Sequence, residues 1–272
     1  MASIAVSPST PEALVDLAFG APDLPSDYPP NLFVIPAFNE EENLPRLIGD
    51  LESRPTLFPA RSRVLIVDDG SEDGTAAVVD RYDGALPLEL VRLERNQGPG
   101  AAFRAGFAAA LEGCPPEARI ITLEADTTSD LDALPRMLER ATTGAELVVA
   151  SWVMVNVSPL RRVLSEGAGL FVRRALGLEA KTVSSFFRVY QASVLRQGFR
   201  HYGDDLIQEH GFACKAELLA KLTRLGARVA EVPVDLDVSR RIGKSKMPVL
   251  RTILAYWRMA LRERGARGAA SA

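Results

Sequence analysis

Two carboxylates, Glu124 and Asp126, follow a short apolar run in the stretch "RIITLEAD", with a single residue between them. Carboxylates gathered at the end of a buried strand are costly unless a cation or a hydrogen-bonding ligand uses them. Their hard oxygen atoms suit a divalent cation, which could in turn carry a diphosphate group. An isolated pair of this kind more often belongs to a solvated acidic loop, so the neighbouring motifs must decide between the two interpretations.

A second acidic motif, "DDGS", follows another apolar run, "RVLIV". Asp68 and Asp69 offer hydrogen-bond acceptors for a nucleotide base or a ribose, while the turn at Gly70 exposes backbone donors. The competing interpretation is a strand-to-helix turn in which Ser71 or Asp73 caps the next helix. Two acidic motifs, each placed after its own strand, favour the ligand-binding interpretation for both.

The segment "SRRIGKSK" at 239–246, here called the basic loop, concentrates four cations around one glycine and is too short for a helix. Guanidinium and ammonium groups on such a turn are suited to binding phosphate. A solvated basic turn would have the same composition. In a chain whose acidic motifs suit a divalent cation and a diphosphate, however, a nearby basic turn favours phosphate binding.

The elements that must position these motifs are predicted by the apolar runs. Five runs predict strands, and the first four are each followed by a predicted helix, the first of them capped by Asn39: "NLFVIPAF", "RVLIV", "LELVRL", "RIITLEAD" and "AELVVASW". Continuous apolar strands alternating with helices indicate an α/β fold, with a mainly parallel sheet covered by helices on both faces. Ligands of such sheets bind beyond the carboxyl ends of the strands, where Asn39-Glu40, Asn96-Gln97-Gly98 and both acidic motifs are expected.

The second half of the chain has fewer regular repeats of strand and helix. "SSFFRVYQASVLRQ" predicts a strand followed by a helix, and "ACKAELLAKLTRLGARVAEVPVDL" predicts a helix, a stop at Gly226 and an edge strand that contains Pro233. No linker-like sequence divides the chain. We expect a loosely ordered leader at 1–30, one α/β domain at 31–246, and an amphipathic helix and tail at 247–272.

The composition excludes some classes of protein. The chain has 272 residues, of which 47% are hydrophobic, enough for one sizeable domain. Its formal net charge of -3 argues against nucleic-acid binding. No run approaches the roughly 18 to 20 apolar residues of a membrane-spanning helix, and the N-terminus lacks the basic and apolar regions of a signal peptide. We therefore expect a cytoplasmic protein.

The last predicted helix, "PVLRTILAYWRMALRER", has an apolar face bordered by arginines. That face carries five large side chains: Leu250, Ile253, Leu254, Trp257 and Leu261. The pattern is typical of a helix that lies in a membrane interface, here on the cytoplasmic face. It is equally typical of a helix that packs on the core and exposes its arginines.

Several blocks fall in an order that resembles a known family. They are "VIPAFNEEENLPRLI", "VLIVDDGSEDGT", "NQGPGAAFRAGFAAAL", "EAD", "LRRVLS", "SSFFRVYQASVL", "GFACKAELL" and "RRIGKSKM". This succession resembles the family-two glycosyltransferases of the GT-A (Rossmann-like) fold, and is most similar to dolichol- or polyprenol-phosphate mannose or glucose synthases. The resemblance extends from about Leu32 to Tyr256.

The resemblance implies a role for each matching residue. Glu124 and Asp126 occupy positions that bind Mg²⁺ or Mn²⁺ and the donor diphosphate, and Arg188 would lie near the acceptor phosphate or the donor diphosphate. Arg241, Ser245 and Lys246 would close over the diphosphate. The remaining implied contacts are with the base, ribose and sugar of the donor: Pro36, Ala37, Glu40, Asp68, Asp69, Gln97, Gly98 and Gly100.

The implied reaction moves a hexose from a nucleoside-diphosphate sugar, GDP-mannose or UDP-glucose, to a polyprenyl phosphate with inversion. Asp126, Arg188, Arg241 and Lys246 would be its catalytic residues. Three residues depart from the family pattern: Glu124 replaces the first Asp of the metal motif, Thr182 replaces an Asp, and Phe186 replaces a Gly.

Two alternatives remain open at the level of sequence. One is a transferase acting on a hydroxyl acceptor, which would need a base such as Asp205 or Glu209. The other is a degenerate nucleotide-sugar-binding regulatory protein.

Overall fold

A single sheet carries every described motif. The computed structural model describes residues 4–5, 29–153, 172–235, 240–243 and 249–270. Within them, eight strands form one sheet in the order β1-β4-β3-β2-β5-β7-β6-β8. The strands are β1 (Ile4–Ala5), β2 (Asn31–Ala37), β3 (Arg63–Asp68), β4 (Leu88–Arg92), β5 (Arg119–Thr122), β6 (Leu147–Val153), β7 (Arg188–Gln191) and β8 (Val229–Asp235).

Most neighbouring strands are parallel. The pairs β1–β4, β4–β3, β3–β2, β2–β5 and β6–β8 are parallel, whereas β7 is antiparallel to both β5 and β6. The predicted α/β fold with a mainly parallel sheet is confirmed. The reversed direction of β7 was not predicted, because nothing in its four residues encodes the direction in which it enters the sheet.

Helices cover both faces of this sheet. They are α1 (Leu44–Glu52), α2 (Thr75–Asp80), α3 (Pro99–Leu111), α4 (Leu134–Thr142), α5 (Ala192–Tyr202), α6 (Cys214–Arg224) and α7 (Val249–Ala270). Residues 172–176 are also helical. Successive β2 residues enter opposite cores: Val34 packs in the cluster that holds Phe107 of α3, and Ile35 in the one that holds Leu47 of α1. This two-sided burial explains the continuous apolar strands.

Two prolines occupy strand positions that need no hydrogen-bond donor. β5 pairs with β2 only as far as Val34, so Pro36 lies beyond that pairing. Pro233 lies in β8, which is the edge strand, as predicted. Both positions follow from the missing N–H of proline.

The first helix begins later than the sequence predicted. Asn39 does not cap it: α1 starts at Leu44, after Asn43, with Pro45 in its first turn. Asn39 instead adopts a left-handed φ of 54°, which asparagine tolerates better than most residues. The segment between β2 and α1 therefore contacts the loop after β3.

Helix α7 packs on the core with a different face from the predicted apolar one, and its placement in a membrane interface stays a prediction. Met259 and Ala260 are buried against the core, whereas Leu254 is 55% exposed and Leu261 63% exposed. Among the described residues, α7 included, no helix combines the length and the apolar character needed to cross a bilayer.

At the other end of the chain, Ile4–Ala5 pairs with β4 inside the predicted leader. The domain limits at 1–30, 31–246 and 247–272 stay predictions.

Candidate active site

The loops after β2 and β3 are tied together at the carboxyl edge of the sheet. The Asn39 N–H donates to Ser71 Oγ at 2.9 Å, and Asn39 Oδ1 accepts from the Glu72 N–H at 2.9 Å. The Glu40 N–H donates to Thr75 Oγ1 at 2.8 Å. These directional bonds fix one loop relative to the other, so Glu40 lies at this edge, as its motif predicted.

Asp68 ends β3 beside the end of β2. Ala37 pairs with Asp68 in the parallel register, and Pro36 is the preceding residue of that strand. Asp68 is fully buried, and its Oδ1 accepts from the Ser71 N–H at 2.8 Å. Its Oδ2 lies 3.5 Å from Arg92 Nε and accepts no hydrogen bond from any described residue. A buried carboxylate oxygen in this state is an acceptor suited to a ligand donor.

Asp69 organises the glycine-rich turn instead. Its two oxygens accept from the backbone N–H groups of Gln97 and Gly98, each at 2.8 Å. Burial raises the pKa of Asp69, although the two amides act in the opposite direction. Gly100 permits a close approach of backbones, because a Cβ there would fall 1.9 Å from the carbonyl oxygen of Glu209. The turn predicted at the nucleotide-sugar pocket is thus held by Asp69 and packed against residues 209–210.

Glu124 is half-buried and accepts hydrogen bonds from two neighbours. Its Oε2 accepts a short hydrogen bond from Ser129 Oγ, and its Oε1 accepts from the Phe186 N–H at 3.4 Å. Burial raises the pKa of Glu124, and the charge of Asp126 acts in the same direction. The Lys215 ammonium acts in the opposite direction. Both carboxylate oxygens of Glu124 therefore already have protein donors.

Asp126 faces a cation of the basic loop. Its Oδ1 accepts from Thr128 Oγ1 at 2.6 Å and from the Thr128 N–H at 3.2 Å. Its Oδ2 forms a close ion pair with the Arg241 guanidinium. The structure thus brings together an acid and a cation that lie 115 positions apart in the sequence.

Three residues, here called the loop clamp, hold the backbone of the basic loop over this site: Asn43, Arg46 and Thr127. Asn43 Oδ1 accepts from the Ile242 N–H at 2.9 Å, and Asn43 Nδ2 donates to the Ile242 carbonyl at 3.1 Å. The Arg240 carbonyl accepts from Arg46 Nη1 at 2.8 Å and from Thr127 Oγ1 at 3.0 Å. Arg241 therefore projects from a backbone that is fixed on both sides.

The residues at this edge fit a divalent cation that is shared with a substrate. Among the described residues, no group of three or more His, Cys, Asp or Glu side chains could hold an ion. Mg²⁺ in nucleotide sites commonly uses one or two carboxylates together with substrate phosphates. Asp126 already attracts one cation, the Arg241 guanidinium. The donor set therefore fits a cation that a diphosphate completes.

Comparisons with known proteins agree with this geometry. The family model described as "Glycosyl transferase family 2" matches residues 32–199. The undecaprenyl-phosphate mannosyltransferase of Micrococcus luteus is 33% identical over 222 residues, which cover 79% of this chain and 86% of that relative. The polyprenol monophosphomannose synthase of Mycolicibacterium smegmatis is 30% identical over 223 residues, which cover 79% of this chain and 80% of that relative.

The chain belongs to glycosyltransferase family 2. A solved structure shares its fold: glucosyl-3-phosphoglycerate synthase from Mycobacterium tuberculosis, in complex with Mn²⁺, UDP and glucosyl-3-phosphoglycerate. That match has a TM-score of 0.60 and 17% identity, and covers 96% of this chain and 86% of that chain. The present family-two glycosyltransferase therefore has a GT-A-like sheet.

The structure buries the Arg188 side chain of this glycosyltransferase, and the phosphate contact expected of it stays a prediction. Arg188 is 1% exposed, and its guanidinium donates to the carbonyls of Lys215 at 2.8 Å and Val183 at 3.0 Å. The β7 position directs this side chain into the core, where backbone carbonyls accept from both terminal nitrogens, while Nε has no partner among the described residues. Arg188 is thus a positioning residue for the segment that carries Lys215.

The two departures from the family pattern near Arg188 are both integrated into packing. Thr182 is 9% exposed, and its hydroxyl lies 2.9 Å from Ser151 Oγ. The Phe186 ring packs at 5.0 Å from that of Phe103 and at 5.8 Å from that of Phe212. We call these three rings the aromatic cluster. It fills the side of the site opposite the polar loops with apolar surface.

Sequence reasoning missed Lys215. Its Nζ lies 3.9 Å from the centroid of the Phe186 ring, and the residue is only 8% exposed. Burial lowers the pKa of Lys215 to about 8, although Glu124 acts in the opposite direction. A signal was present, since Lys215 shares a helical stripe with the buried residues Leu218, Leu219 and Leu222.

The remaining predicted site residues stand apart from the acid pair or outside the described ranges. Ser245 and Lys246 lie outside the described residues. Glu209 is ion-paired with Arg262 at 2.9 Å, and burial raises its pKa. Asp205 accepts from Gln208 Nε2 at 2.6 Å.

Proposed function

We propose that this family-two glycosyltransferase moves a hexose, mannose or glucose, from a nucleoside-diphosphate sugar to a polyprenyl phosphate. The donor would be GDP-mannose or UDP-glucose, and the cofactor Mg²⁺ or Mn²⁺. The observation that carries the proposal is the ion pair between Arg241 and Asp126 beneath a clamped loop. The names of the two polyprenyl-phosphate relatives support this acceptor, and the Mn²⁺ in the solved neighbour supports the cofactor.

The donor would lie along the carboxyl edge of the sheet. The open acceptor of Asp68 faces the base or the ribose, beside Pro36 and Ala37. Glu40 and the turn at Gln97, Gly98 and Gly100 border the same edge. The bound cation would supply Lewis-acid neutralisation of the diphosphate, and Asp126 is the described residue that would hold it.

The chemistry needs little from a base. A phosphate monoester dianion is already ionised at neutral pH, so it can attack the anomeric carbon directly and invert it. The protein's task is to position the two substrates and to neutralise the departing diphosphate. Arg241 is placed for that task once it exchanges Asp126 for a phosphate oxygen, and Lys246 belongs to the same basic loop.

A donor screen tests the proposal. Purified protein, Mn²⁺ and a short-chain polyprenyl phosphate are incubated with each of a panel of nucleoside-diphosphate hexoses, and nucleotide release and glycolipid formation are measured. We expect release with one guanine or uracil donor that depends on both metal and acceptor. No transfer to the phosphate lipid from any common donor would overturn the proposal.

The alternatives are distinguished by the same assay. Transfer to hydroxyl compounds but not to the polyprenyl phosphate would establish the hydroxyl-acceptor transferase. The structure disfavours it, since Glu209 is ion-paired and Asp205 is hydrogen-bonded. Calorimetric nucleotide binding without turnover for any donor would indicate the regulatory protein.

We also propose that α7 lies on the cytoplasmic face of a membrane, where a lipid-linked acceptor would be found. Ile253, Leu254, Trp257 and Leu261 are between 41% and 63% exposed on one face. The arginines at 251 and 258 are exposed beside them, as in helices that bind anionic lipid surfaces.

Vesicle sedimentation tests this placement. The double variant Leu254→Glu, Leu261→Glu should bind phosphatidylglycerol vesicles at least about 10-fold more weakly than the wild type. The control Ala85→Glu, exposed between α2 and β4, should bind as the wild type does. Equal binding by the double variant and the wild type would contradict the placement.

A further inference from the structure

A buried ammonium group lies behind the acid pair, against the aromatic cluster. Lys215 is 8% exposed, and its Nζ lies 3.9 Å from the Phe186 ring and 5.3 Å from the Phe212 ring. No described residue forms a direct ion pair or a hydrogen bond with this ammonium group. Ring faces alone compensate a buried charge poorly.

The compensation comes from the carboxylates after β5. The charges of Glu124 and Asp126 raise the pKa of Lys215 and so oppose the effect of its burial. Removing one member of a buried charge pair is costly because the other charge is left without compensation. Glu124 and Lys215 are linked through Phe186, whose N–H donates to Glu124 and whose ring face lies against the Lys215 ammonium.

Glu124 is also joined to the ring that covers Lys215. Its Oε1 accepts from the Phe186 N–H at 3.4 Å, and its Oε2 accepts from Ser129 Oγ. An aspartate at this position would be one methylene shorter and could not reach both donors from the same backbone. The glutamate thus spans from the end of β5 to the residues just before β7.

Asp126 presents its carboxylate differently. Among the described residues, its Oδ2 is paired with Arg241, a side chain that projects from the basic loop. That cation can be exchanged for another, whereas the partners of Glu124 are a backbone amide and a neighbouring hydroxyl.

We propose that the two carboxylates have separate roles: Asp126 is the metal-facing ligand, and Glu124 forms a positioning pair with Lys215 that fixes Phe186 on the acceptor side. This inference rests on the proposed function, because only that function identifies the Phe186 side as the acceptor side. It explains why a glutamate is compatible with the site, since the residue bridges two protein segments and does not ligate the ion.

Metal binding separates the two roles without turnover. Mn²⁺ binding in the presence of UDP or GDP is measured by electron paramagnetic resonance for the wild type, Glu124→Gln and Asp126→Asn. We expect Asp126→Asn to weaken Mn²⁺ binding at least about 100-fold and Glu124→Gln to weaken it less than about 3-fold. Equal losses in the two variants would overturn the proposal.

A double-mutant cycle tests the pair itself. Glu124→Gln and Lys215→Met should each lower the unfolding midpoint, whereas the double variant should unfold within about 3 °C of the milder single variant, because no uncompensated charge remains. Additive losses would contradict the coupling. Glu124→Asp should not restore the wild-type midpoint.

Steady-state kinetics distinguish a role in acceptor binding from a merely structural role, because the two substrates have separate KM values. Lys215→Met should raise the KM for the polyprenyl phosphate by about 10-fold or more and leave the KM for the donor within about 2-fold. A parallel rise in both KM values would refute a role on the acceptor side. If the wild type transfers no sugar to the phosphate lipid, the proposed function fails, while the metal-binding and unfolding results still decide the division between Glu124 and Asp126.

Discussion

On one side of the acid pair, the loops after β2, β3 and β4 and the basic loop are joined by hydrogen bonds from side chains to backbone. Asn43 with the backbone of Ile242, and Asp69 with two amides, are examples. On the other side, Phe186 and Lys215 are positioned by ring packing and by charge compensation. The polar side thus depends on the geometry of individual hydrogen bonds, whereas the packed side depends on how well its side chains are buried.

This difference bears on where the chain can tolerate change. Removing one side-chain donor or acceptor abolishes its hydrogen bond to the backbone. Substitutions on the polar side should therefore lower activity by displacing the loops that position the substrates. A packed aromatic side can accept a different ring and keep its shape. The chain departs from its family's pattern at Phe186, within the packed side, and at Glu124, which joins the two sides.

The strongest test of the polar side is Asp126→Asn, which keeps the shape and removes the charge. We expect kcat to fall by about 10³-fold or more, because the diphosphate loses its bound cation. Turnover is measured by nucleotide release across a Mn²⁺ titration. Asp132→Asn, an exposed carboxylate six residues on, serves as the matched control and should stay within about 2-fold. Near-normal turnover in Asp126→Asn would refute the metal assignment.

Arg241→Ala should have the next largest effect. The loop loses the cation that would neutralise the leaving diphosphate, so kcat should fall by about 10²-fold to 10³-fold. Arg240→Ala is the control, since Arg240 pairs with Asp50 and not with Asp126. Equal losses in the two variants would show that loop charge in general, rather than the Arg241 contact, is what matters.

Much of the polar side could be predicted from the sequence. Asp68 ends one continuous apolar strand and Asp126 follows another within four residues, and parallel strands bring their carboxyl ends to one edge. The ion pair of Arg241 with Asp126 could not be predicted in the same way, because it joins segments far apart in the chain. Asn43 lies in a segment whose pattern predicts a helix, so its contact with the basic loop could not be predicted.

The packed side was harder to predict. Arg188 and Lys215 are charged residues, which are rarely buried, so the sequence alone does not predict their burial. Their burial depends on partners supplied by other elements, carbonyl oxygens for Arg188 and ring faces for Lys215. The apolar stripe of α6 around Lys215 was the available signal.

The pH dependence of stability tests whether the Lys215 charge on the packed side is costly to bury. The pKa of Lys215 is lowered to about 8 in the folded chain from an ordinary value of 10.5, so the unfolded chain binds more protons between these values. Stability should therefore rise with pH across this window, and a difference of this size corresponds to about 3 kcal/mol in the free energy of unfolding.

The measurement compares metal-free wild type with Lys215→Met by urea unfolding between pH 8 and pH 10.5. Cys214, whose pKa burial raises to about 12, acts in the opposite direction in both proteins, so only the difference between them is interpreted. We expect the wild type to gain stability relative to the variant as pH rises. A constant difference across the window would show that the Lys215 charge is not buried at a cost.

The smallest expected effect belongs to the clamp. Asn43→Ala removes both hydrogen bonds to the Ile242 backbone but no charge, so Arg241 is held less precisely at Asp126. We expect kcat to fall by about 10-fold, while the KM for the donor changes less. Asp50→Asn, which weakens the Arg240 ion pair and leaves the Ile242 backbone bonds intact, is the matched control.

Limited trypsin digestion measures how firmly the basic loop is held in the same variant, without an activity assay. Cleavage after Arg240 and Arg241 requires the loop backbone to leave its clamp, so Asn43→Ala should be cut at these sites several-fold faster than the wild type. Faster cleavage with unchanged kcat would show that holding the loop backbone contributes nothing to catalysis. Unchanged cleavage would show that Arg46 and Thr127 hold the loop without Asn43, and the polar side would then be as tolerant of single substitutions as the packed side.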